Sequence, residues 1–292
     1  MYRGPAREYF LRAIRSQRAY ATSPSRIHAI DRYYAWHRYL GRGRQGERAR
    51  RGDMALAGVA GDLRARALPE VARVAGVAGD DPTLRAIAAV PRERFVPLDQ
   101  IEASTRDVAV PLDDSGQATV SAMHAYARAY RLLGVEAGDR VLDLGGGTGY
   151  GAALLRALVG PDGAVVSVEI DAALSAQARV NLEGLDVRWI EGDATDPASW
   201  AAQVRALAIS KVVVGFALAE LPTSWLAALE PGAVVVAPVR HDGALRLVRA
   251  VHRGSRFEVQ PHEEVLYVPV RRPMVPVVQE APATRARLPV LR

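Results

Sequence analysis

Val141-Leu142-Asp143-Leu144-Gly145-Gly146-Gly147-Thr148-Gly149-Tyr150 is the stretch that decides the fold. Aliphatic residues lead to an acid, glycines recur at every second position, and a helix-forming run over residues 151–159 follows. A buried parallel strand, a tight turn and a helix N-terminus require that order. Glycine serves where the backbone bends sharply and a ligand must come close, because a Cβ would stand in the way. In open α/β sheets a turn of this kind, at the carboxyl end of a strand, is where nucleotides bind.

Two kinds of cofactor suit such a loop, and residue identity separates them. A dinucleotide fingerprint needs G-x-G-x-x-G/A, with the pyrophosphate seated on the helix N-terminus. Gly145 and Gly147 meet its first two positions, but its third small position is Tyr150. The pattern here is D-x-G-x-G-x-G, with Asp143 two residues ahead of Gly145. An anion there repels a pyrophosphate and suits a ligand carrying an ammonium and a sulfonium; S-adenosyl-L-methionine is such a ligand. The next apolar run, residues 164–168, ends at Glu169, and an acid at that strand tip can accept both ribose hydroxyls. A further run, residues 187–190, ends in Glu191-Gly192-Asp193. Asp143, Gly145, Gly147, Gly149, Glu169 and Asp193 are therefore the expected cofactor-binding residues. The competing reading is a glycine-rich turn among ordinary surface carboxylates; acids ending three successive predicted strands argue against it.

The chain has 292 residues, 49% of them hydrophobic, enough for a real core in one large domain or one and a half. No apolar run approaches the ~20 residues of a membrane span. Met1-Tyr2-Arg3-Gly4 lacks the apolar stretch of a secretory signal, which favours the cytoplasm. There are no cysteines, which excludes disulfides, zinc–thiolate sites and thiol nucleophiles. The six histidines show no metal-ligand spacing, so no metal is expected. Residues 1–80 hold sixteen Arg against seven acids, a net of +9; the chain total of +6 then leaves −3 for the other 212 residues. The basic character belongs to the N-terminal part. Lys211 is the only lysine, an Arg preference that a GC-rich genome also produces.

Residues 5–20 and 25–40 read as helices, the second closed by Gly41-Arg42-Gly43. Tyr9, Phe10, Tyr20, Tyr33, Tyr34, Trp36 and Tyr39 interleave there with Arg. Such a mixture is a helical cap with its aromatics turned inward, or a surface for an acidic peptide or nucleic acid. Residues 41–52 read as a charged linker and 54–77 as a glycine-weakened helix. A short helix over 83–89 is capped by Asp81-Pro82-Thr83, and a polar loop covers 98–110. A helix over 122–133 precedes the glycine loop. From Val141 strands and helices alternate through residue 238, which predicts a parallel sheet covered on both faces. Residues 245–251, 256–259 and 264–268 read as further strands, the last ones antiparallel, and the tail from Arg271 is Pro-rich and irregular.

Three stretches together resemble the protein-L-isoaspartate (D-aspartate) O-methyltransferase family: Val90-Pro91-Arg92-Glu93-Arg94-Phe95-Val96-Pro97, Gly116-Gln117-Ala118-Thr119-Val120-Ser121, and the glycine loop. Glu230-Pro231-Gly232-Ala233-Val234-Val235-Val236-Ala237-Pro238-Val239 is similar to that family's late turn and strand. The resemblance covers about residues 81–270, and its motifs are specific in this order and spacing. It implies a Rossmann-like seven-stranded α/β methyltransferase sheet with helices on both faces. With it come three regions: a helical Arg/aromatic extension (1–80), the methyltransferase domain (81–270) and a Pro/Arg-rich tail (271–292).

The resemblance also implies transfer of a methyl group from S-adenosyl-L-methionine to an isoaspartyl or aspartyl carboxylate of a peptide or protein. A carboxylate is already ionised at neutral pH, so no general base is needed. The protein must align the reacting atoms and desolvate the carboxylate without tight ion pairing, for which hydroxyl donors are suited. Ser121, which matches the family's active-site serine, and Thr119 are the expected catalytic contacts, with Gln117 and Phe216 at the substrate. Thr119-Val120-Ser121 can also cap the following helix, and His124 reads as a packed or capping histidine. Three departures from the family pattern bear on the substrate: Ala122-Met123 after the serine, Gly215-Phe216-Ala217-Leu218-Ala219 in place of an alanine run, and Ser210-Lys211 before the fourth strand. Within this activity the enzyme repairs damaged proteins or tailors a ribosomally made peptide, with the extension holding an acidic leader. The alternatives are a nucleic-acid methyltransferase working through the basic segment and a non-catalytic binding protein on the same fold.

Overall fold

The structure is a computed structural model that describes residues 46–113 and 115–271. The helices expected over 5–20 and 25–40, and the tail beyond Arg271, lie outside the described residues. Helix α1 (Gly46–Ala75) already includes much of the expected 41–52 linker. Its last turns bury Val71, Ala72 and Ala75 in the same core as the helices that follow. Arg64, on the N-terminal side of the expected boundary at residue 80, is tied to the family-like segment. Its Nη1 pairs with Glu93 at 2.7 Å and its Nε donates to the Ile87 carbonyl at 2.8 Å.

Helix α2 (Pro82–Ala89) starts as its sequence requires, with the Asp81 carboxylate accepting from Thr83 N at 2.7 Å. The expected polar loop after it instead carries a 3-10 turn (Leu98–Gln100) and the short α3 (Ile101–Ser104), which bury Ile101, Glu102 and Ser104. A two-stranded ribbon, β1 (Val110–Pro111) with β2 (Thr119–Val120), delivers the chain to α4 (Met123–Leu133).

The main sheet comprises β3 (Arg140–Leu144), β4 (Ala164–Glu169), β5 (Val187–Glu191), β6 (Lys211–Val214), β7 (Val234–His241), β8 (Ala244–His252) and β9 (Phe257–Glu264). Its order is β5-β4-β3-β6-β7-β8-β9; β3 to β7 are parallel and the last two antiparallel. The mixed seven-stranded sheet expected from the sequence is present. The chain builds outward from β3 through β4 to β5, then returns to lay β6 on the other side of β3. The strand order reverses there, and open sheets leave a crevice at such a point.

Strand alternation sorts the residues of β3 between two cores. Val141 joins Val165 and Val213 on the face covered by α4 and α5 (Tyr150–Val159), whereas Leu142 and Leu144 join Trp200 and Trp225 on the other. Asp143 therefore faces the α4 side. At the far edge a single β9 replaces the two short strands expected over 256–259 and 264–268. Pro261 is tolerated in it because β9 is an edge strand with a register shift in its pairing. Within the alternation expected through residue 238, the helical segment before β7 is only a 3-10 turn, Thr223–Ala227. Among the described residues no helix is long and apolar enough to cross a membrane.

Candidate active site

The glycine loop leaves β3 under tight steric control. Gly145 has φ +88°, and a Cβ there would lie 2.7 Å from the Phe216 ring. A Cβ on Gly146 would lie 2.2 Å from Ser167 Oγ and 2.7 Å from the Trp189 ring. The N–H groups of Gly145 and Gly146 both donate to the Val168 carbonyl, at 2.9 and 3.0 Å, which folds the loop back over β4.

Two buried acids face this loop. Asp143 accepts a hydrogen bond from Ser167 Oγ at 2.8 Å. Burial pushes its pKa up to about 6, with the charge of Glu169 adding to the shift. Glu169 uses both oxygens: Oε2 accepts from Gly147 N at 2.7 Å and Oε1 from Asp171 N at 2.9 Å. Burial raises its pKa as well. Among the described residues neither acid has a cationic side chain as partner. A buried carboxylate without a cation is costly, and a cationic ligand that also offers hydroxyl donors would relieve both. Asp193, at the end of the β5 segment, accepts from Thr195 N and Oγ1 through Oδ1 at 2.8 and 2.7 Å. Among the described residues its other oxygen accepts no hydrogen bond.

The segment before the ribbon locks the loop from the opposite side. Thr148 Oγ1 donates to the Phe95 carbonyl at 2.6 Å. Tyr150, the residue that breaks the dinucleotide pattern, is buried between Phe95 and Tyr126, with each ring centroid 5.3 Å away. The Arg92 guanidinium lies 5.8 Å over the Tyr150 ring. A bulky side chain thus fills the place where a dinucleotide site needs a small residue.

Arg92 is fully buried and holds the substrate-side backbone in place. Nη1 donates to the carbonyls of Ser104 and Arg106, and Nη2 to those of Val108, Val120 and Ser121, at 2.7 to 3.2 Å. Among the described residues it forms no salt bridge, and burial lowers its pKa although the Asp107 charge acts against that shift. The N-cap of α4 is Ala122, without a side-chain bond. Asp107 caps the helix instead, accepting from His124 N and pairing with His124 Nδ1, both at 2.9 Å. Ser121 and Thr119 are consequently free of capping duty, and His124 is engaged by a carboxylate.

Three connected spaces meet at these residues. A crevice is lined by Glu169, Asp193, Gly145 and Gly147. A second, smaller cavity is lined by Asp143, Ser121 and Tyr126. A larger open groove runs past Ser121, His124 and Tyr267. Thr119 lines all three, and Ser121 lines both the cavity and the groove. The geometry can hold a cationic, ribose-bearing ligand on one side of Thr119-Val120-Ser121 and an anionic acceptor on the other.

Most of the residues expected from the sequence come together here. Asp143, Gly145, Gly147, Glu169 and Asp193 line the crevice or the cavity. Gly149 lies behind the loop at φ +94°, where a Cβ would meet Leu182 at 2.9 Å; its contribution is to loop shape. Gln117 and Phe216, expected at the substrate, line the crevice with Glu169 and not the open groove. The reason for Phe216 is its packing on Gly145, which draws the ring to that side. Gly146, Ser167, Tyr126, Tyr267 and Arg271 were not among the expected residues; of these only Gly146, the second glycine of the Gly145-Gly146-Gly147 run, carried a local signal.

A doubly covered parallel sheet, a glycine turn at its reversal point and acids on adjacent strand tips define the class of α/β nucleoside-cofactor methyltransferase folds. The family model for protein-L-isoaspartate(D-aspartate) O-methyltransferase matches residues 64–273. This chain belongs to that family. A solved protein-L-isoaspartate O-methyltransferase is 24% identical, with a TM-score of 0.58, covering 72% of this chain; the chain spans 66% of that protein's length. A protein from Plasmodium falciparum assigned to the same activity, solved with S-adenosyl-L-homocysteine, is 18% identical with a TM-score of 0.59. That match covers 72% of this chain and 97% of the other. At these identities the two structures speak for the fold.

Proposed function

We propose that this protein is an S-adenosyl-L-methionine-dependent carboxyl O-methyltransferase acting on isoaspartyl or aspartyl residues of a peptide or protein. One observation carries the reading. Two buried acids that have no cationic partner among the described residues, Asp143 and Glu169, lie across a thin wall of hydroxyl-bearing residues, Thr119 and Ser121, from an open groove. The bound cofactor supplies a methyl group activated by its sulfonium. Asp143 would hold the cationic end, Glu169 the ribose hydroxyls and Asp193 the same edge further out. Ser121 and Thr119 would donate to the substrate carboxylate. Arg92 gives Nη1 and Nη2 to main-chain carbonyls, so its charge orients Ser121 without pairing with the nucleophile.

The family assignment favours this reading over a nucleic-acid methyltransferase and over a non-catalytic binding protein. A cytoplasmic location fits repair of damaged proteins, while grip on an acidic peptide by the basic N-terminal part fits tailoring of a dedicated substrate. Base-labile methyl transfer to short isoaspartyl and aspartyl peptides decides between them. Methylation of isoaspartyl peptides of unrelated sequence supports repair. Cofactor binding with no transfer to any short peptide supports tailoring instead, and transfer of a base-stable methyl group would overturn the carboxyl-transfer reading.

Ser121→Ala should slow turnover about 10- to 100-fold, the worth of one hydrogen bond to a charged group, and leave cofactor affinity within about twofold. Single-turnover kinetics and calorimetry separate the two quantities. Equal turnover would remove Ser121 from the substrate contacts.

Cofactor affinity should also depend on the protonation of Asp143. The folded pKa of about 6 lies above the ordinary 3.8, so the ligand-free protein keeps this proton to higher pH than the unfolded chain does. The Asp143 contribution to stability is therefore most favourable below the ordinary value and is lost as pH rises through about 6. Binding a cation reverses that preference. Affinity should weaken as pH falls through about 6, with proton release on binding near pH 5.5. Calorimetry in buffers of different ionisation heat measures that release, and a flat affinity across this range would contradict the role given to Asp143.

A further inference from the structure

The segment after β9 lies between the cofactor crevice and the substrate groove. Val265 N donates to the Leu245 carbonyl at 2.9 Å, and the Val268 carbonyl accepts from Ala217 N at 2.8 Å. Val268 and Pro269 line both spaces, whereas Val270 and Arg271 line the crevice alone. At the end of this strap the Arg271 guanidinium divides between two carboxylates from separate parts of the fold. Nη2 pairs with Asp113 Oδ2 at 2.5 Å and Nη1 with Asp171 Oδ2 at 2.6 Å.

Each partner belongs to one wall of the crevice. Asp113 lies in the β1–β2 connection, one residue past Leu112 and four before Gln117, and both of these line the crevice. Asp171 follows Glu169 and Ile170 and caps helix α6 (Ala172–Asn181), its Oδ1 accepting from Ala173 N and Leu174 N at 2.9 and 3.0 Å. Asp171 thus gives one oxygen to the helix behind the cofactor acid and the other to Arg271. The Nε of Arg271 is also buried and has no acceptor among the described residues. A ligand oxygen in the crevice would satisfy it.

We propose that Arg271 is an ionic latch across the mouth of the cofactor crevice. It joins the ribbon that carries Thr119 to the helix cap that follows Glu169, and it sets the rate at which cofactor and demethylated product exchange. The inference rests on the cofactor reading given above. Fixing both walls through one planar fork suits Arg rather than Lys, whose point charge has no such geometry. The latch leaves the methyl-transfer residues untouched, so its loss acts on exchange. Because the side chains at both ends are partly exposed, the ion pairs weaken as salt screens them.

The test is the release of S-adenosyl-L-homocysteine from the full chain, followed by stopped-flow tryptophan fluorescence. Trp189 packs beside Gly146 and serves as reporter. Arg271→Gln should release the ligand about 3- to 10-fold faster, the effect of losing two partly exposed ion pairs. Release from the wild type should accelerate between about 0.05 and 0.5 M salt, and in Arg271→Gln that dependence should flatten. Asp113→Asn breaks only the ribbon side of the latch and should give a smaller increase. Combined with Arg271→Gln it should add nothing further. Wild-type release rates from both single variants at every salt concentration would overturn the latch alone. A wild-type chain that binds no S-adenosyl-L-homocysteine in calorimetry would instead overturn the cofactor reading on which it rests.

Discussion

Glu169→Ala should lose cofactor affinity by about 100-fold or more. The carboxylate serves two purposes. It holds the glycine loop to the start of α6 through Gly147 N and Asp171 N, and its remaining lone pairs are the proposed acceptors for a ribose diol. Hydrogen bonds to charged groups contribute about 1.5–3 kcal/mol each, so loss of two such contacts accounts for that factor. Truncation also leaves two buried N–H groups without an acceptor. Stability should change less than affinity, because removing an acid whose pKa burial has raised relieves a desolvation cost at neutral pH. Glu169→Gln keeps the shape but presents an amide NH₂ to one of the two N–H donors, and should fall between wild type and Ala. Titration calorimetry with S-adenosyl-L-homocysteine measures all three. Affinity for Glu169→Ala within twofold of wild type would take Glu169 out of the cofactor site.

The second large effect is on stability. Arg92→Ala should lower the melting temperature by roughly 10 °C or more. Five carbonyls from residues 104, 106, 108, 120 and 121 converge on this guanidinium, and each buried acceptor left unpaired costs about 1–3 kcal/mol. Release of an unpaired buried cation offsets part of the loss, leaving about 4–5 kcal/mol. At about 2–4 °C per kcal/mol for a domain of this size, that is the stated shift. Arg92→Lys keeps the charge but offers three donors in a different geometry, and should lie between. Circular-dichroism melts provide the measurement. A melting temperature for Arg92→Ala within about 3 °C of wild type would mean that the convergence of carbonyls contributes little to stability.

Both predictions depend on residues whose importance had different visibility in the sequence. Glu169 was legible because its position follows from two local patterns, a glycine turn after one apolar run and an acid at the tip of the next. Register then does the rest: Glu169 lies at the end of β4, which pairs in parallel with the glycine-bearing β3. Arg92 was visible only as one letter of a family-like motif. Its five acceptors are separated from it by 12 to 29 residues, and no local rule assigns an arginine to distant main-chain carbonyls. Phe216 shows the same limit. Its place in the motif suggested the substrate floor, and contact with Gly145 turned it to the cofactor side.

The sequence by itself determined the run of parallel strands, the glycine turn at their reversal point and the placing of acids at neighbouring strand tips, and its motifs resembled the family to which the chain belongs. The strands, the turn and the acids follow from short-range alternation, backbone freedom and charge at fixed spacing along a strand. Only the tertiary structure decided how the walls are held. Arg92 fixes the Ser121 carbonyl, Asp107 takes over the helix cap, Tyr150 is enclosed by Phe95 and Tyr126, and Arg271 spans Asp113 and Asp171. The physical reason is that periodicity reports which face a residue buries. The partner of a buried or bridging polar group is chosen by chain segments that folding brings together from far apart.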